Sequence, residues 1–221
     1  MKARVFLVAA FVSAGLGCSG LLSATAQTAA AAQGGWTWPA IPGCLSDPEI
    51  RTSGTTSYTS PICPLYDQLL ASDQTDVELK SARRLNGEMD GVLYPAFLPG
   101  TEVVTFIVSD TFNKSFNGQN RLVRVSTSAV GARSGSWWTT LATVSNNGAL
   151  MTADEIRAKL ALTGTPSCIA YADAVTSGVR GYMGVVAPAF DEPGGGAEFW
   201  FPPDAVSAKT VGNIPGGATC Q

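Results

Sequence analysis

The spacing of apolar residues predicts helices in the first third of the chain and mainly strands after it. Between residues 64 and 86, apolar side chains recur at near-helical spacing, at Leu65, Leu69, Leu70, Val77, Leu79 and Leu85. Gly87 ends this region. Beyond it, runs of β-branched and aromatic residues predict strands at residues 103–108, 122–126, 137–144, 169–175, 182–187 and 197–201.

One helix is predicted within the strand-rich part. Thr152 and Glu155 have the spacing of a capping box, Ile156 and Leu160 share a buried face, and Gly164 ends the helix. Residues 212–217 are predicted to form a loop. The fold class is therefore α+β, with a mixed, mostly antiparallel central sheet and a few helices.

Residues 1–26 have the pattern of a secretory signal peptide. Lys2 and Arg4 precede an apolar run at residues 5–16 that is too short to span a bilayer. The small residues Ala24 and Ala26 then provide a cleavage site, so the mature chain is expected to begin at Gln27 and to be secreted or held at the cell surface. Lipid attachment at Cys18 is a weaker alternative, because Gly15 stands where a branched apolar residue is usual.

Four cysteines remain after removal of the signal, and an even number in an exported chain predicts two disulfides. Of the three possible pairings we favour Cys44–Cys63, which closes a loop rich in Pro, Ser and Thr, and Cys168–Cys220, which ties the tail to a central strand. The length suits about one domain. Residues 27–87 are interpreted as an N-terminal arm with helices, tied by a disulfide, and residues 88–221 as the main domain.

Charge and composition exclude several classes of function. The formal net charge of −3 becomes −5 when Lys2 and Arg4 leave with the signal, and no basic stripe suggests a nucleic-acid partner. No second apolar run has the length of a transmembrane helix. The sequence contains no histidine, which excludes Ser-His-Asp triads, His-ligated zinc and histidine acid–base catalysis.

The strongest chemical candidate lies in residues 184–201, GVVAPAFDEPGGGAEFWF. Three glycines (Gly194, Gly195 and Gly196) form a turn that is neither a P-loop nor a hydride-transfer dinucleotide fingerprint, and they would let backbone N–H groups approach a ligand. On the strand that follows, Glu198 and Trp200 are predicted to face opposite to Ala197, Phe199 and Phe201. A carboxylate fixed at this point would stabilise the positive charge that forms on ribose when an N-glycosidic bond breaks. The simpler alternative is a flexible turn beside a solvated carboxylate.

Upstream residues supply candidates for the rest of a site. Arg124 has the planar fork that suits a diphosphate, with Arg121 and Arg133 as rivals. At least one of the adjacent tryptophans 137 and 138 is expected in the core, and Trp138 and Phe190 are candidate aromatic walls. Thr139 is a candidate partner for ribose or a carboxamide. Asp191 and Glu192 could hold a structural calcium ion, although two acids without regular spacing are a weak signal.

Two segments together carry a family resemblance. GYMGVVAPAFDEPGGGAEFWF resembles the closing signature of the tuberculosis necrotizing toxin (TNT)-like NAD glycohydrolases, and RVSTSAVGARSGSWWTT is similar to an Arg-Val…Gly-x-Trp-Thr segment of related toxin domains. The resemblance covers about residues 88–202. By position, Arg124 matches the family's phosphate-binding Arg, and Glu198 stands where the family has its catalytic Gln.

The resemblance implies an ADP-ribosyltransferase-like or TNT-like fold and a secreted toxin that consumes NAD as its substrate, with no cofactor and no catalytic metal. The expected activity is cleavage of the nicotinamide–ribose bond, by hydrolysis or by cyclisation to cyclic ADP-ribose, since a carboxylate in place of Gln is typical of ADP-ribosyl cyclases and transferases. Some family members use a histidine, which is absent here. The alternatives are an ADP-ribosyltransferase-type toxin and a non-catalytic secreted binding module. An immunity protein is a possible partner, and the oligomeric state, a homodimer included, stays open.

Overall fold

An eight-stranded sheet organises the chain. The computed structural model describes residues 61–88 and 97–221. Within these ranges the helices are α1 (Cys63–Leu70), α2 (Ala82–Glu88), α3 (Phe112–Ser115), α4 (Ala129–Arg133) and α5 (Ala153–Leu160), with a 3₁₀ turn at Gly118–Asn120. The strands are β1 (Thr75–Ser81), β2 (Glu102–Ile107), β3 (Leu122–Ser126), β4 (Trp137–Thr140), β5 (Ser145–Asn146), β6 (Ala149–Leu150), β7 (Cys168–Val175), β8 (Arg180–Val185), β9 (Ala197–Trp200) and β10 (Val206–Asn213).

The order of strands across the sheet is β1-β2-β8-β9-β4-β3-β7-β10, and β5 and β6 form a separate hairpin. Each neighbouring pair of strands in the described ranges is antiparallel. The predicted α+β class is confirmed. β9 is near the end of the sequence but lies in the middle of the sheet, between β8 and β4, so its side chains have neighbours on both sides.

The prediction of a continuous helical region over residues 64–86 was wrong. A helix is present at each end, but residues 75–81 form β1, an outer strand that pairs with β2. Val77 and Leu79 are two residues apart, which places both on one face of a strand, where they pack against the core. α1 also contributes Leu65 and Leu69 to that core. This part of the predicted arm therefore shares the sheet and core of the main domain.

Two other boundaries differ from the pattern. The predicted strand at 137–144 ends at Thr140, because residues 141–144 form turns closed by backbone hydrogen bonds such as Thr143 N–H to Thr140 O (3.0 Å). β10 was not predicted, and it includes Gly212 and Asn213 of the expected loop. β10 is an outer strand in which most side chains keep accessible surface. Such a strand lacks the alternation of apolar and polar residues that indicates a half-buried strand.

The register divides the sheet into two faces. The Arg124 face carries Leu122, Arg124, Trp138, Phe199 and Met183, and most of the large aromatic core packs on it together with α1 and α3. The Glu198 face carries Val123, Trp137, Thr139, Glu198, Trp200 and Tyr182. Directly paired residues of antiparallel strands point to the same side, which is why the register alone makes this assignment.

Two separate clusters cover the Glu198 face. On one side, α5 packs Ile156 against Val123 and Ile169. On the other, α2 and Phe97 pack with Val103 at β2. The floor between them is formed by β9 and β4, and we call its residues the central strip: Trp137, Thr139, Glu198 and Trp200. Trp137, Glu198 and Trp200 keep part of their surface accessible, whereas Thr139 is buried.

The predicted start of α5 is confirmed. The capping box is present, with Thr152 Oγ1 accepting from Glu155 N–H and the Glu155 carboxylate accepting from Thr152 N–H. The helix ends before Gly164, because Ala161 adopts a left-handed conformation (φ 47°, ψ 51°) that stops it. Ile156 is fully buried, as predicted.

Ala161→Gly is expected to stabilise the protein by about 1 kcal/mol, because glycine has no Cβ to strain a left-handed cap. The matched control is Ala158→Gly within α5, which is expected to destabilise by about 0.5–1 kcal/mol. Denaturant unfolding of both variants measures the difference. A less stable Ala161→Gly protein would contradict the expected strain at this cap.

A disulfide fixes the C-terminal tail. Cys168 of β7 and Cys220 are bonded, as predicted, with a Cα–Cα distance of 5.0 Å. Cys63 is also disulfide-bonded. Cys44 lies outside the described residues, as do the predicted signal peptide and the predicted arm up to residue 60, so the Cys44–Cys63 pairing stays a prediction. No helix in the two described ranges is both long and apolar enough to cross a membrane.

Candidate active site

Glu198 lies in the middle of the sheet with a neighbour on each side. On β8 its direct partner is Gly184. On β4 the register pairs Trp137 with Trp200 and Trp138 with Phe199, and its continuation places Thr139 beside Glu198. The predicted alternation along β9 is confirmed: Ala197 and Phe199 are fully buried on the opposite face, whereas Glu198 and Trp200 share the central strip.

An aromatic ring takes the space of the missing side chain at Gly184. A Cβ at this position would lie 2.4 Å from Cδ1 of Phe97, so only glycine lets the ring approach. Phe97 is fully buried. The side-chain amide of Asn86 holds its backbone by donating to the Phe97 carbonyl (2.7 Å) and accepting from its N–H (3.1 Å). The ring of Phe97 therefore lines the side of Glu198 that faces β8.

Among the described residues, none forms an ion pair with the carboxyl group of Glu198. The residue as a whole keeps some accessible surface, but Oε1 has essentially none and has no hydrogen-bond partner among the described residues. Burial raises the pKa of the Glu198 carboxyl well above its usual range. A buried carboxyl without a partner is unfavourable when ionised, so a group that supplies a positive charge or a donor would be bound here favourably.

Glu198→Gln is expected to make the protein more stable than wild type at alkaline pH and equally stable at acidic pH. A carboxyl whose pKa is raised by folding contributes stability below the ordinary pKa of glutamate, about 4.3, and loses it as the pH rises through the raised value. Glutamine does not ionise, so the difference in melting temperature should grow above about pH 5 and then level off. Melting curves of both proteins from about pH 4 to 9 measure it.

Glu155→Gln is the control with the opposite sign. Hydrogen bonds from the backbone and side chain of Thr152 lower the pKa of the Glu155 carboxyl. Its contribution is therefore present above the ordinary pKa and lost as the pH falls, so this variant should lose stability at neutral pH. Parallel profiles for wild type and Glu198→Gln would mean that the Glu198 carboxyl is not destabilised by burial.

The glycine turn does not present free N–H groups to a ligand, contrary to the prediction. The N–H groups of Gly194 and Gly196 donate to the carbonyls of Ala158 and Lys159 (both 3.0 Å), and that of Gly195 donates to Val186 (3.0 Å). Ala158 and Lys159 belong to the last turn of α5, whose carbonyls have no partner within the helix. The glycines thus fasten residues 186–196, which connect β8 to β9 and which we call the connecting hairpin, to the end of α5.

The structure does not bring Arg124 to Glu198. Arg124 is on β3, opposite Ala170, and points to the other face of the sheet. Its Nε donates to Gly131 O (2.9 Å) and its Nη1 to Trp137 O (2.7 Å). Burial lowers the pKa of the Arg124 guanidinium. This arginine joins α4 to the start of β4, and its geometry does not support the predicted role in binding a diphosphate beside Glu198.

The two rival arginines also lie away from the central strip. Arg121 donates to Ala172 O (2.9 Å), and its side chain lies 3.5 Å from Asp173. It lines a pocket of about 310 Å³ between α3 and the end of β7, together with Phe112 and Phe116, which belong to the core of the Arg124 face. Arg133 is exposed at the end of α4.

The predicted aromatic wall is formed by different residues. Trp138 is 2% exposed, points to the Arg124 face, and its Nε1 donates to Gly135 O (2.9 Å), so the prediction of Trp138 as a ligand wall was wrong. Trp137 is the tryptophan on the central strip. Thr139 lies on the correct face, but it is buried and its Oγ1 donates to Ala197 O (2.6 Å), which holds β4 against β9.

A row of three partly exposed aromatic rings crosses the strip. Tyr182, Trp200 and Trp137 are paired on the adjacent strands β8, β9 and β4. Tyr182 and Trp200 meet edge to face with ring centres 5.3 Å apart, and Trp137 meets Phe97 in the same way at 5.4 Å. The sequence contained one signal for this row, since Trp200 shares the parity of Glu198. Only the pairing of β9 with β8 and β4 shows that Tyr182 and Trp137 belong to the same row.

The tip of the connecting hairpin carries the remaining candidates. Phe190 is 41% exposed there. The carboxylate of Glu192 lies 2.8 Å from Nε of Arg157 on α5, in a close ion pair whose angle is unsuitable for a hydrogen bond. Glu192 therefore already has a cation. Among the described residues no group of three or more His, Cys, Asp or Glu side chains is arranged to hold a metal ion.

No protein-family model, no curated protein and no solved structure matches this chain. The likeness to TNT-like enzymes consequently depends on the two sequence segments alone.

Proposed function

We propose that the chain cleaves the nicotinamide–ribose bond of NAD, with the central strip as its active site. The carboxyl of Glu198 carries this proposal, because its Oε1 is buried without a hydrogen-bond partner among the described residues and because it lies beside a row of aromatic rings. A planar cation complements both features. It supplies the missing positive charge, and it is attracted to the faces of tryptophan and tyrosine. The nicotinamide ring of NAD is such a cation.

The chemistry follows from the same carboxyl. The bond between the ring nitrogen and C1′ of ribose breaks with its electron pair going to nicotinamide, which leaves as a neutral molecule. The positive charge moves to the ribose, where an ionised Glu198 stabilises it. Water then attacks C1′ and releases a proton to solvent, giving ADP-ribose. Attack by N1 of the adenine gives cyclic ADP-ribose instead, and attack by a protein side chain gives ADP-ribosylation.

The raised pKa of Glu198 brings the chain closer to the family pattern. A neutral glutamic acid has the shape of the family's glutamine and can donate a hydrogen bond to a ribose hydroxyl. A bound cation lowers the pKa of a neighbouring carboxyl, so NAD itself would favour the ionised form. Glu198 can thus bind as a neutral group and act as a charged one. The proposed toxin role and the ADP-ribosyltransferase-like or TNT-like label of the fold are supported by the two sequence segments alone.

Nicotinamide release from NAD by the purified mature protein tests the proposal. NADH is the matched control ligand, because its nicotinamide ring has no positive charge. We expect NAD to be cleaved and NADH to be left intact and to compete weakly. Chromatography of the products separates ADP-ribose from its cyclic form. Absence of nicotinamide release at micromolar enzyme over hours would remove the enzyme assignment and favour a binding module.

A further inference from the structure

Two aromatic rings from opposite sides of β9 meet on the Glu198 face. The ring of Phe97 lies over Gly184 of β8, where a Cβ would be 2.4 Å from its Cδ1. Trp137 belongs to β4, on the far side of β9. Because neighbouring strands lie about 4.8 Å apart, β8 and β4 are separated by about 10 Å. The two ring centres are only 5.4 Å apart, so their contact must cross above β9.

The register determines where this contact crosses β9. Gly184 is paired with Glu198, and Trp137 is paired with Trp200. A ring over Gly184 that touches the ring of Trp137 therefore passes between the side chains of Glu198 and Trp200. We call this contact between Phe97 and Trp137 the aromatic cover. It lies beside a carboxyl group whose Oε1 has essentially no accessible surface.

The other neighbours of Glu198 give its carboxyl group less protection from water. Gly184 has no side chain, and Thr139 is short, with its hydroxyl donating to Ala197 O (2.6 Å). Trp200 packs against Tyr182, with ring centres 5.3 Å apart. The aromatic cover is consequently the group best placed to keep water from Oε1.

The two rings of the cover differ in their access to a ligand. Phe97 is fully buried, and its backbone is held by the side chain of Asn86 and by a bridge to Val186. Trp137 keeps part of its surface accessible on the central strip. A ligand on the strip can thus touch Trp137 but not Phe97, so a change at Phe97 alters the cover without removing a ligand contact.

We propose that the aromatic cover keeps water from the Glu198 carboxyl group and thereby strengthens its attraction for a cation. Water weakens the attraction between a carboxylate and a neighbouring cation, because it raises the effective dielectric constant between them. Glu198 also keeps some accessible surface, from which a ligand can approach it. Phe97 and Trp137 are then positioning residues for the cleavage of NAD, and this catalytic part of the inference rests on the proposed function.

A double-mutant cycle tests the cover without any ligand. At about pH 8, where an exposed carboxyl group is ionised, Glu198→Gln should raise the melting temperature of the otherwise wild-type protein by about 2–4 °C. Phe97→Leu shortens one half of the cover. In this background water hydrates the carboxyl group, so the gain from Glu198→Gln should fall below about 1 °C, whereas a purely structural loss would be additive.

Two other backgrounds complete the cycle. Trp137→Val opens the cover from its half-buried side with a residue that suits a strand, and it should abolish the gain in the same way even if Phe97→Leu does not fold. Trp200→Ala is the matched control, since it removes a ring of the central strip that packs against Tyr182. In the Trp200→Ala background the gain should persist.

The kinetic measurement addresses the catalytic part. Phe97→Leu should lower kcat for nicotinamide release by about tenfold, a fraction of the effect of removing a charged catalytic group. KM for NAD should change less than about twofold, because the buried ring of Phe97 makes no contact with the ligand.

Distinct outcomes would overturn each part of the inference. An equal gain from Glu198→Gln in the wild-type, Phe97→Leu and Trp137→Val backgrounds would rule out the cover, and so would loss of the gain in Trp200→Ala as well. Loss of the gain with an unchanged kcat in Phe97→Leu would rule out the catalytic role. If the wild-type protein releases no nicotinamide, the proposed function fails, and the melting temperatures alone still decide whether the cover protects Glu198.

Discussion

Glu198→Ala is expected to lower the rate of nicotinamide release by about two to four orders of magnitude, the range found when a positioned charged or proton-transferring group is removed from a catalytic site. The reason is that no other carboxylate lies on the central strip, among the described residues, to stabilise the ribosyl cation. The loss should fall mainly on kcat, because the full charge on ribose exists only in the transition state. Measurement of kcat and KM with NAD at neutral pH provides the number.

The isosteric variant separates charge from shape. Glu198→Gln retains the hydrogen bonds to ribose but not the charge, so we expect activity between that of wild type and Glu198→Ala. It should also raise the ratio of hydrolysis to cyclisation, if the carboxylate is what holds the cation for attack by adenine. Glu192→Ala is the matched control, since Glu192 belongs to an ion pair with Arg157 away from the strip. Equal loss in the Glu192 and Glu198 variants would argue against a catalytic role for Glu198.

Local patterns predicted the parts of the fold that local interactions determine. The capping box of α5 depends on two residues three positions apart, and the alternation along β9 depends on pleating within one strand. Both were predicted correctly. The pattern wrongly predicts helix at β1, because Val77 and Leu79, taken together with the leucines around them, are compatible with the period of a helix and with that of a strand. Only the pairing with β2 decides between the two structures.

The candidate site could be predicted only in part, because a site depends on which strands become neighbours. Alternation places Trp200 beside Glu198 without knowledge of the fold. It does not show that β4 lies next to β9 or that Trp137, rather than Trp138, shares the face of Glu198. A shift of one residue in the register would exchange these two tryptophans. The same limit explains why Arg124 matched a family position in sequence while its side chain points to the other face.

The glycines illustrate a second limit. Three consecutive glycines are compatible both with a loop that receives a ligand and with a loop that packs closely on another element. The difference lies in where their N–H groups donate, and here the acceptors are carbonyls of α5, Ala158 and Lys159, and of Val186. A sequence shows that backbone can approach something at this point, but it does not identify the partner.

Arg124→Ala is expected to destabilise the fold by about 2–4 kcal/mol and to leave KM for NAD unchanged in whatever fraction remains folded. Truncation would leave the carbonyls of Gly131 and Trp137 without their charged donor. Each lost partner of this kind costs about 1–3 kcal/mol when the acceptor stays away from water. Denaturant unfolding measures the stability, and assays at low temperature measure KM on the folded protein.

Two further variants make this result interpretable. Arg121→Ala removes an arginine that is 37% exposed and only 3.5 Å from its acid partner, so about 0–1 kcal/mol is expected. Arg124→Lys keeps the charge but replaces the planar fork by a single ammonium group, which can reach one of the two carbonyls at a time, so an intermediate loss is expected.

If Arg124→Ala instead raised KM for NAD severalfold at unchanged stability, the guanidinium would be a ligand of the diphosphate after all. A ligand that contacts both Glu198 and Arg124 would then have to reach from one face of the sheet to the other. The short bonds of Arg124 to α4 and to β4 itself argue against that arrangement, because a group already committed to two backbone carbonyls would have to release both before it could bind a phosphate.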